Sequence, residues 1–183
     1  MSSSVGIYAS QISGHLVVPN SYASIATVTV GSGGASSITF SSIPSTYTHL
    51  QIRVMALSAA SFHNTLVQFN GDTGANYTLH QLVGNGSAAS AFGTNGQSNF
   101  TLGQLGTSTY PGVEIMDILD YANTNKYKTV RDLSGTDTNG TGQTLIILRS
   151  GVWINTNAVT SITLTDDGSS YNQYSSFALY GIR

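Results

Sequence analysis

The stretch that decides the fold is His49-Leu-Gln-Ile-Arg-Val-Met-Ala-Leu57. Its even positions are apolar through Val54, whereas Gln51 and Arg53 between them are polar. Successive side chains of a β-strand point to opposite faces, so this alternation predicts a strand with one buried face. The stretch Ser161-Ile-Thr-Leu-Thr165 repeats the pattern. No window carries a helical period over about 12 residues.

The composition extends this prediction to the whole chain. Charged residues make up 8% of the 183 residues, against about 25% in an average soluble domain. A chain so poor in Lys and Glu has few strong helix formers, while its 40% of hydrophobic residues is enough for a core. We therefore predict an all-β protein, an antiparallel β-sandwich in the jelly-roll arrangement with about ten short strands.

Turn residues divide the chain into segments of similar length. Residues 1–20 alternate weakly and are interpreted as an N-terminal arm, followed by a single sandwich domain over residues 21–183. Runs of β-branched and aromatic residues predict strands at 25–30, 36–40, 48–57, 65–70, 77–83, 99–105, 113–121, 127–133, 144–152, 158–165 and 176–182. Clusters such as Asn70-Gly-Asp-Thr-Gly74 supply the residues that tight turns require. Residues 84–97 are interpreted as a long polar loop.

The low charge also bears on partners. A net charge of −2 and a pI of about 6.0 give no basic field for nucleic acid. Neutral hydroxyls and amides cost less to desolvate than ions, so this surface favours packing against other subunits. The sequence has no run of about 18 apolar residues and no signal-peptide pattern, and we expect no membrane span.

Apolar residues on both faces of a strand mark the expected contact with a partner. One such run is Leu145-Ile146-Ile147-Leu148, typical of a central strand or of one beneath a subunit contact. Residues 115–119 share the property. Four arm side chains are too sparse to form a core alone, but each could bury on a neighbouring subunit. They are Ile7, Ile12, Leu16 and Val17.

Charge is concentrated in one segment. Eight of the 14 charged side chains lie within residues 114–137. A three-residue loop at 123–125, with Asn125 in the left-handed conformation, predicts a hairpin. Its register sets three pairs opposite each other: Asp117 and Arg131, Ile118 and Val130, and Asp120 and Lys128. Opposite charges across strands contribute roughly 0.2–1 kcal/mol each, so we interpret these charges as specifying register.

No constellation for catalysis or metal binding is convincing. Glu114, Asp117 and Asp120 could form a carboxylate cluster, but alternation puts Asp117 on the opposite face from the other two. The four histidines never show a metal-ligand spacing such as HxH or HExxH. No GxSxG motif or P-loop is present, although a Ser-His-Asp triad assembled from distant loops stays open. We expect no catalytic, cofactor-binding or metal-binding residue.

Aromatic residues leave alternatives open. The chain has ten tyrosines and a single tryptophan, Trp153. Tyrosine, tryptophan, asparagine and serine are typical of sugar-binding faces and of protein interfaces, because aromatic rings bury area and keep a polar group. A core position with hydroxyls at the rim is the other interpretation.

Five segments between about residue 25 and the end of the chain carry a family resemblance. They are Ser37-Ile-Thr-Phe-Ser-Ser-Ile-Pro44, Thr48-His-Leu-Gln-Ile-Arg53, Phe69-Asn-Gly-Asp-Thr-Gly74, Asn123-Thr-Asn-Lys-Tyr-Lys-Thr-Val-Arg131 and Ser176-Phe-Ala-Leu-Tyr-Gly-Ile182. In this order they resemble small virion structural proteins of tailed bacteriophages, including cyanophages and other aquatic phages. The resemblance implies a virion component with a β-sandwich or jelly-roll fold, assembled in the host cytoplasm. It does not distinguish head from tail and implies no catalytic residues.

Two functions follow as expectations. The first is a capsid decoration (cement) protein that binds over the joints of the head shell as a homotrimer and contacts the major capsid protein or other virion proteins. The alternative is a tail-fibre or spike module that recognises a host surface glycan or protein. Neither is an enzyme, and we expect no cofactor, nucleic acid or membrane as a partner.

Overall fold

The computed structural model describes residues 21–60, 62–140 and 144–183. The predicted arm, with Ile7, Ile12, Leu16 and Val17, lies outside the described residues. No helix occurs within the described residues, and hence none that could cross a membrane. The strands are β1 (Tyr22–Thr29), β2 (Ser37–Phe40), β3 (His49–Ala56), β4 (Asn64–Phe69), β5 (Tyr77–Gly84), β6 (Ala89–Gln97), β7 (Phe100–Gln104), β8 (Gly112–Leu119), β9 (Lys128–Thr136), β10 (Leu145–Trp153), β11 (Ile162–Asp166) and β12 (Ser176–Ile182).

These strands form two antiparallel sheets that enclose one core, as in a β-sandwich. The large sheet has eight strands in the order β1-β12-β3-β8-β9-β10-β5-β6, and the small sheet has four in the order β2-β11-β4-β7. The prediction of an all-β antiparallel sandwich is confirmed, with twelve strands in the described residues in place of about ten. The jelly-roll arrangement stays a prediction.

The core follows the alternation of the sequence. In β3 the side chains of Leu50, Ile52 and Val54 point inward and are buried, as predicted. Strand β11 of the small sheet contributes Ile162 and Leu164 to the same core. Each sheet therefore stabilises the other by removing apolar area from water, at about 25 cal/mol per Å2.

Trp153 lies in an aromatic cluster between the sheets. Its ring centroid is 5.5 Å from that of Phe69 and 6.4 Å from that of Tyr77, and Phe100 lies 4.9 Å from Tyr77. The buried indole N–H donates a hydrogen bond of 2.7 Å to Asp72 Oδ2. A buried indole needs such an acceptor. The core interpretation therefore holds for Trp153, and its ring is not part of a surface sugar site.

Asp72 ties the β4–β5 turn to this cluster. Its carboxylate also accepts hydrogen bonds of 2.9 Å from the backbone N–H of Gly74 and from the Asn76 amide. The Tyr77 hydroxyl donates to the backbone carbonyl of Asp72 at 3.0 Å. Partial desolvation raises the pKa of Asp72, but the hydrogen bonds from Trp153, Asn76 and Gly74 outweigh it, so this pKa is lowered. The carboxylate is thus ionised when it accepts the indole N–H at neutral pH.

Strand β6 differs from the sequence prediction. Residues 84–97, predicted to be a loop, contain the end of β5, a turn and β6 as an edge strand. In the turn, Asn85 Oδ1 accepts the backbone N–H groups of Ser87 and Ala88 at 3.0 and 2.8 Å. All nine residues of β6 are exposed. A strand exposed on both faces has no reason to alternate, so its sequence carries no strand periodicity.

Asp72→Ala is expected to lower the free energy of unfolding by about 1–3 kcal/mol, because the buried indole N–H loses its acceptor. Urea unfolding followed by the fluorescence of Trp153 measures the change. Asp137→Ala is the matched control, since its carboxylate accepts the backbone N–H of Asn139 in an exposed turn. Equal losses in the two variants would contradict the role of Asp72.

Candidate interaction surface

The face of the large sheet that points away from the small sheet carries large apolar side chains. One row of them crosses neighbouring strands through Ile115 of β8, Leu133 of β9, Leu148 of β10 and Leu82 of β5. A second, parallel row contains Met55 of β3, Val113 of β8 and Ile146 of β10. Seven such side chains are 44–62% exposed. We call these seven the outer apolar face: Met55, Leu82, Val113, Ile115, Leu133, Ile146 and Leu148. A contiguous exposed patch of this kind is typical of an interaction surface.

Two glycines open a depression in the outer apolar face. Gly84 and Gly135 stand opposite Ile146 on the neighbouring strands and have no side chains to fill the surface there. A depression of about 730 Å3 lies over them, with Val113 and Leu133 in its walls. Apolar anchors that fill such pockets dominate the energy of protein interfaces. The depression could therefore receive an apolar side chain of a partner.

A polar network borders this face. Arg53 Nε donates to Gln51 Oε1 at 2.7 Å, and Gln51 Nε2 donates to Asp117 Oδ1 at 2.8 Å. The Arg53 guanidinium also lies over the rings of Tyr180 and Tyr22, at 4.9 and 5.5 Å from their centroids. An apolar centre with a polar rim is the usual anatomy of a protein interface.

The run predicted to be apolar on both faces lies in β10. This strand is internal to the large sheet, between β9 and β5. Ile147 is buried in the sandwich, Ile146 and Leu148 point outward, and Leu145 is half-buried. Of the second segment, 115–119, Ile115 belongs to the outer apolar face. That a partner covers these side chains stays a prediction.

The charged hairpin has the predicted register over its regular part. Asp117 lies opposite Arg131, and Ile118 lies opposite Val130. The predicted pairing of Asp120 with Lys128 is wrong, because Asp120 turns out of the ladder with a φ of 48°. The carboxylate of Asp120 pairs instead with the Lys126 ammonium in the turn. Asp120, and not Asn125, takes the left-handed conformation.

Lys128 is fully buried and has a different role from the one predicted. Its ammonium donates hydrogen bonds to three backbone carbonyls, those of Asn123, Lys126 and Thr156, at 2.5, 2.9 and 3.0 Å. An ammonium has three donors, so all are satisfied. Burial, with the charge of Lys126, lowers the pKa of Lys128. The side chain holds the β8–β9 turn against the segment that follows β10.

Ser58, His63 and Asp166 form a cluster that the sequence did not predict. His63 Nδ1 lies 2.7 Å from Asp166 Oδ1 and 3.5 Å from Asp167 Oδ1, and the Ser58 hydroxyl donates to Asp166 Oδ2 at 2.6 Å. The serine hydroxyl is bound to the aspartate and not to the histidine, so the histidine is not placed to activate it as a nucleophile.

His63, Asp166 and Asp167 also have the atom types of a cation site. Asp166 Oδ1, however, already accepts the backbone N–H of Ser169 at 3.1 Å as well as the His63 contact. The Asp166 carboxylate is thus engaged on both oxygens by groups of the protein. We assign the cluster a structural role, bracing the loop after β11.

A second cluster is buried between the sheets. Thr65 Oγ1 donates to Glu114 Oε1 at 2.8 Å, while Glu114 Oε2 and Asp132 Oδ1 have no hydrogen-bond partner among the described residues. Arg149 donates to Asp132 Oδ2 at 3.2 Å and, through Nε, to Gln81 Oε1 at 2.8 Å. Gly103 of β7 covers the cluster; a Cβ there would lie 2.2 Å from the Cβ of Ser134.

Burial controls the protonation of this cluster. Desolvation, and then the charge of Asp132, raises the pKa of Glu114 well above its usual value. Desolvation also raises the pKa of Asp132 to about 6, although Arg149 and Ser134 lower it. Burial therefore favours the protonated form of Glu114, while Arg149 stabilises the ionised form of Asp132 beside it.

The chain matches no protein-family model, and no curated protein is similar to it. The fold and the outer apolar face together define a β-sandwich protein with a large apolar surface that none of the described residues covers.

The buried carboxyls predict an unusual pH dependence of stability. A pKa that is raised on folding gives stability that is present below the unfolded pKa and is lost as pH rises through the folded pKa. The folded-state pKa is about 6 for Asp132 and is raised well above the usual value for Glu114. The free energy of unfolding should therefore fall as the pH rises from about 4 through 6. Glu114→Gln should flatten this slope, because the amide does not titrate.

Urea unfolding across this pH range measures the slope. Asp117→Asn is the matched control, a carboxylate of the same strand on the opposite face. A slope that is the same in wild type and Glu114→Gln, or that rises with pH, would contradict the role of Glu114.

Proposed function

We propose that the protein is a non-enzymatic structural component of a phage virion, a decoration (cement) protein that stabilises the head shell as a homotrimer. The assignment to a phage virion rests on the resemblance of five sequence segments to virion proteins. The contact rests on one observation, the outer apolar face, whose seven large side chains lie uncovered on one side of the sandwich.

The distribution of charge supports an assembly role. Five of the 14 charged side chains are buried: Glu114, Lys128, Asp132, Arg149 and Asp166. The surface is thus even poorer in charge than the composition indicates. Because ions are the costliest groups to desolvate, such a surface can be covered by a neighbour at low cost. In a trimer the contacts would repeat by rotation and close.

Leu148→Asp and Ile146→Asp are expected to weaken assembly at least about tenfold, because each places an unpaired charge in the desolvated contact. Both side chains are exposed, so the melting temperature should change little. Analytical ultracentrifugation, and binding to shells stripped of the protein, measure the effect.

Thr39→Asp adds the same charge to the exposed side of the small sheet and serves as the matched control. Assembly that is unchanged in Leu148→Asp and Ile146→Asp, or equally weakened in Thr39→Asp, would count against the outer apolar face as the contact. Protein found on tails and absent from heads would count against a decoration role.

Deletion of residues 1–20 should leave a folded domain with weaker assembly. The twelve strands of the described residues and the core cluster lie within residues 21–183, so this domain has its own core. Ile7, Ile12, Leu16 and Val17 would lose the apolar area that we expect them to bury on a neighbour, at about 25 cal/mol per Å2. Circular dichroism checks the fold, and ultracentrifugation checks the assembly. Unfolding of the shortened chain, or full assembly, would refute this role of the arm.

The tail-fibre or spike module stays the alternative. Two of its supports in the sequence do not hold, because Trp153 is buried and residues 84–97 are mostly strand. Copy number per virion separates the two functions, since a head shell takes many more copies than a tail tip.

A further inference from the structure

A polar cavity lies where loops meet at one end of the sandwich. It has a volume of about 350 Å3 and lies between the β1–β2, β7–β8 and β11–β12 loops and the end of β3. None of its lining residues carries a charge. Cavities of roughly 300 Å3 or more are large enough for a small ligand.

Tyr174 lines this cavity in an unfavourable backbone conformation. Its φ is 74°, in the left-handed region that bulky residues rarely adopt. The side chain is 70% exposed, so burial does not compensate for the strain. Its backbone N–H donates to the carbonyl of Val30 at 3.0 Å, which fixes the residue in place. Strain of this kind is typical of binding sites.

Polar side chains around Tyr174 are free to bind a ligand. The hydroxyls of Ser32, Ser108 and Ser170 and the amide of Gln173 line the cavity and make no side-chain hydrogen bond to any described residue. Hydroxyls both donate and accept, and an amide offers two donors and an acceptor. The cavity thus presents a mixed set of neutral donors and acceptors beside an exposed aromatic ring.

The β11–β12 loop, which carries Ser170, Gln173 and Tyr174, is held by hydrogen bonds to the segment that follows β3. Asn172 donates its backbone N–H to Leu57 O at 2.8 Å and its amide to Ser58 O at 3.1 Å. The backbone N–H of Ala59 donates to Ser170 O at 2.9 Å. Ser58 is itself bound to the buried Asp166. A site whose supporting shell is fixed before binding loses less entropy when a ligand arrives.

We propose that this cavity is a binding subsite for a neutral saccharide, with Tyr174 as the stacking platform. An aromatic ring can pack against the apolar C–H face of a sugar ring, and neutral hydroxyls and amides match the sugar hydroxyls. The absence of charge from the lining favours a neutral sugar over an acidic one. The subsite is independent of the outer apolar face and of the virion role.

The proposal is tested by titrating the full chain with methyl glycosides of glucose, galactose, mannose and N-acetylglucosamine. Binding is monitored by 15N–1H NMR. At least one glycoside should shift the amide resonances of Gly33, Ser108 and Gln173, with a dissociation constant of about 1–10 mM. Sodium glucuronate is the charged control and should bind at least about tenfold more weakly. Absence of binding by all four glycosides at about 50 mM, or equal binding of glucuronate, would overturn the proposal.

Variants separate binding from folding. Tyr174→Ala should weaken binding at least about tenfold. Tyr127→Ala removes another exposed tyrosine, in the β8–β9 turn, and should leave binding unchanged. Tyr174→Gly and Tyr174→Asn remove the ring and also tolerate the positive φ, so they should lose binding with an equal or higher melting temperature. Binding that survives the loss of the ring, or a marked fall in melting temperature in both variants, would show that Tyr174 is not a ligand platform.

Discussion

The large sheet has two faces, and the small sheet can cover only one of them. Because side chains alternate along each strand, every strand of the large sheet presents residues to both sides. The inner side is satisfied by the core around Leu50, Ile52 and Trp153. The outer side must face water or another molecule, and over β8, β9, β10 and β5 it is apolar. The assembly proposal follows from this constraint and not from any single residue.

The same constraint explains where the charges lie. The eight-stranded sheet is wider than the four-stranded sheet that covers it. On the inner side of β9 and β10, Asp132 and Arg149 stand where the aliphatic core ends and polar groups begin. Buried ions of this kind are costly unless they are paired. Here Arg149 pairs with Asp132, and burial raises the pKa of Glu114 and so favours its uncharged form. The outer surface is left with few charges.

The alternation of apolar and polar residues made the fold predictable. The features that were not predicted lie where the sequence has no such alternation. The register of Asp117 with Arg131 was predicted correctly. The predicted three-residue loop was too short, because β8 ends at Leu119 and β9 begins only at Lys128. Strand β6 could not be predicted, because an edge strand with two exposed faces has no pattern to detect. Lys128 is buried because backbone carbonyls, including that of Thr156, accept its hydrogen bonds. Ser58 and Asp166 are brought together from positions far apart in the chain. Neither leaves a periodic signal in the sequence.

The outer apolar face and the Tyr174 cavity are built from the same strands, since Met55 of the face lies two residues before Leu57 of the cavity lining. Strand β12 begins directly after the cavity loop, at Ser176, which stands opposite Met55 of the outer apolar face. The loops at the end of a sandwich project along the strands, whereas the face of a sheet looks perpendicular to them. A neighbour docked over β8, β9, β10 and β5 would therefore cover a surface that points in a different direction from the loop end. One rigid sandwich can thus combine attachment through its sheet with recognition through its loops, and a shared strand fixes the geometry between the two.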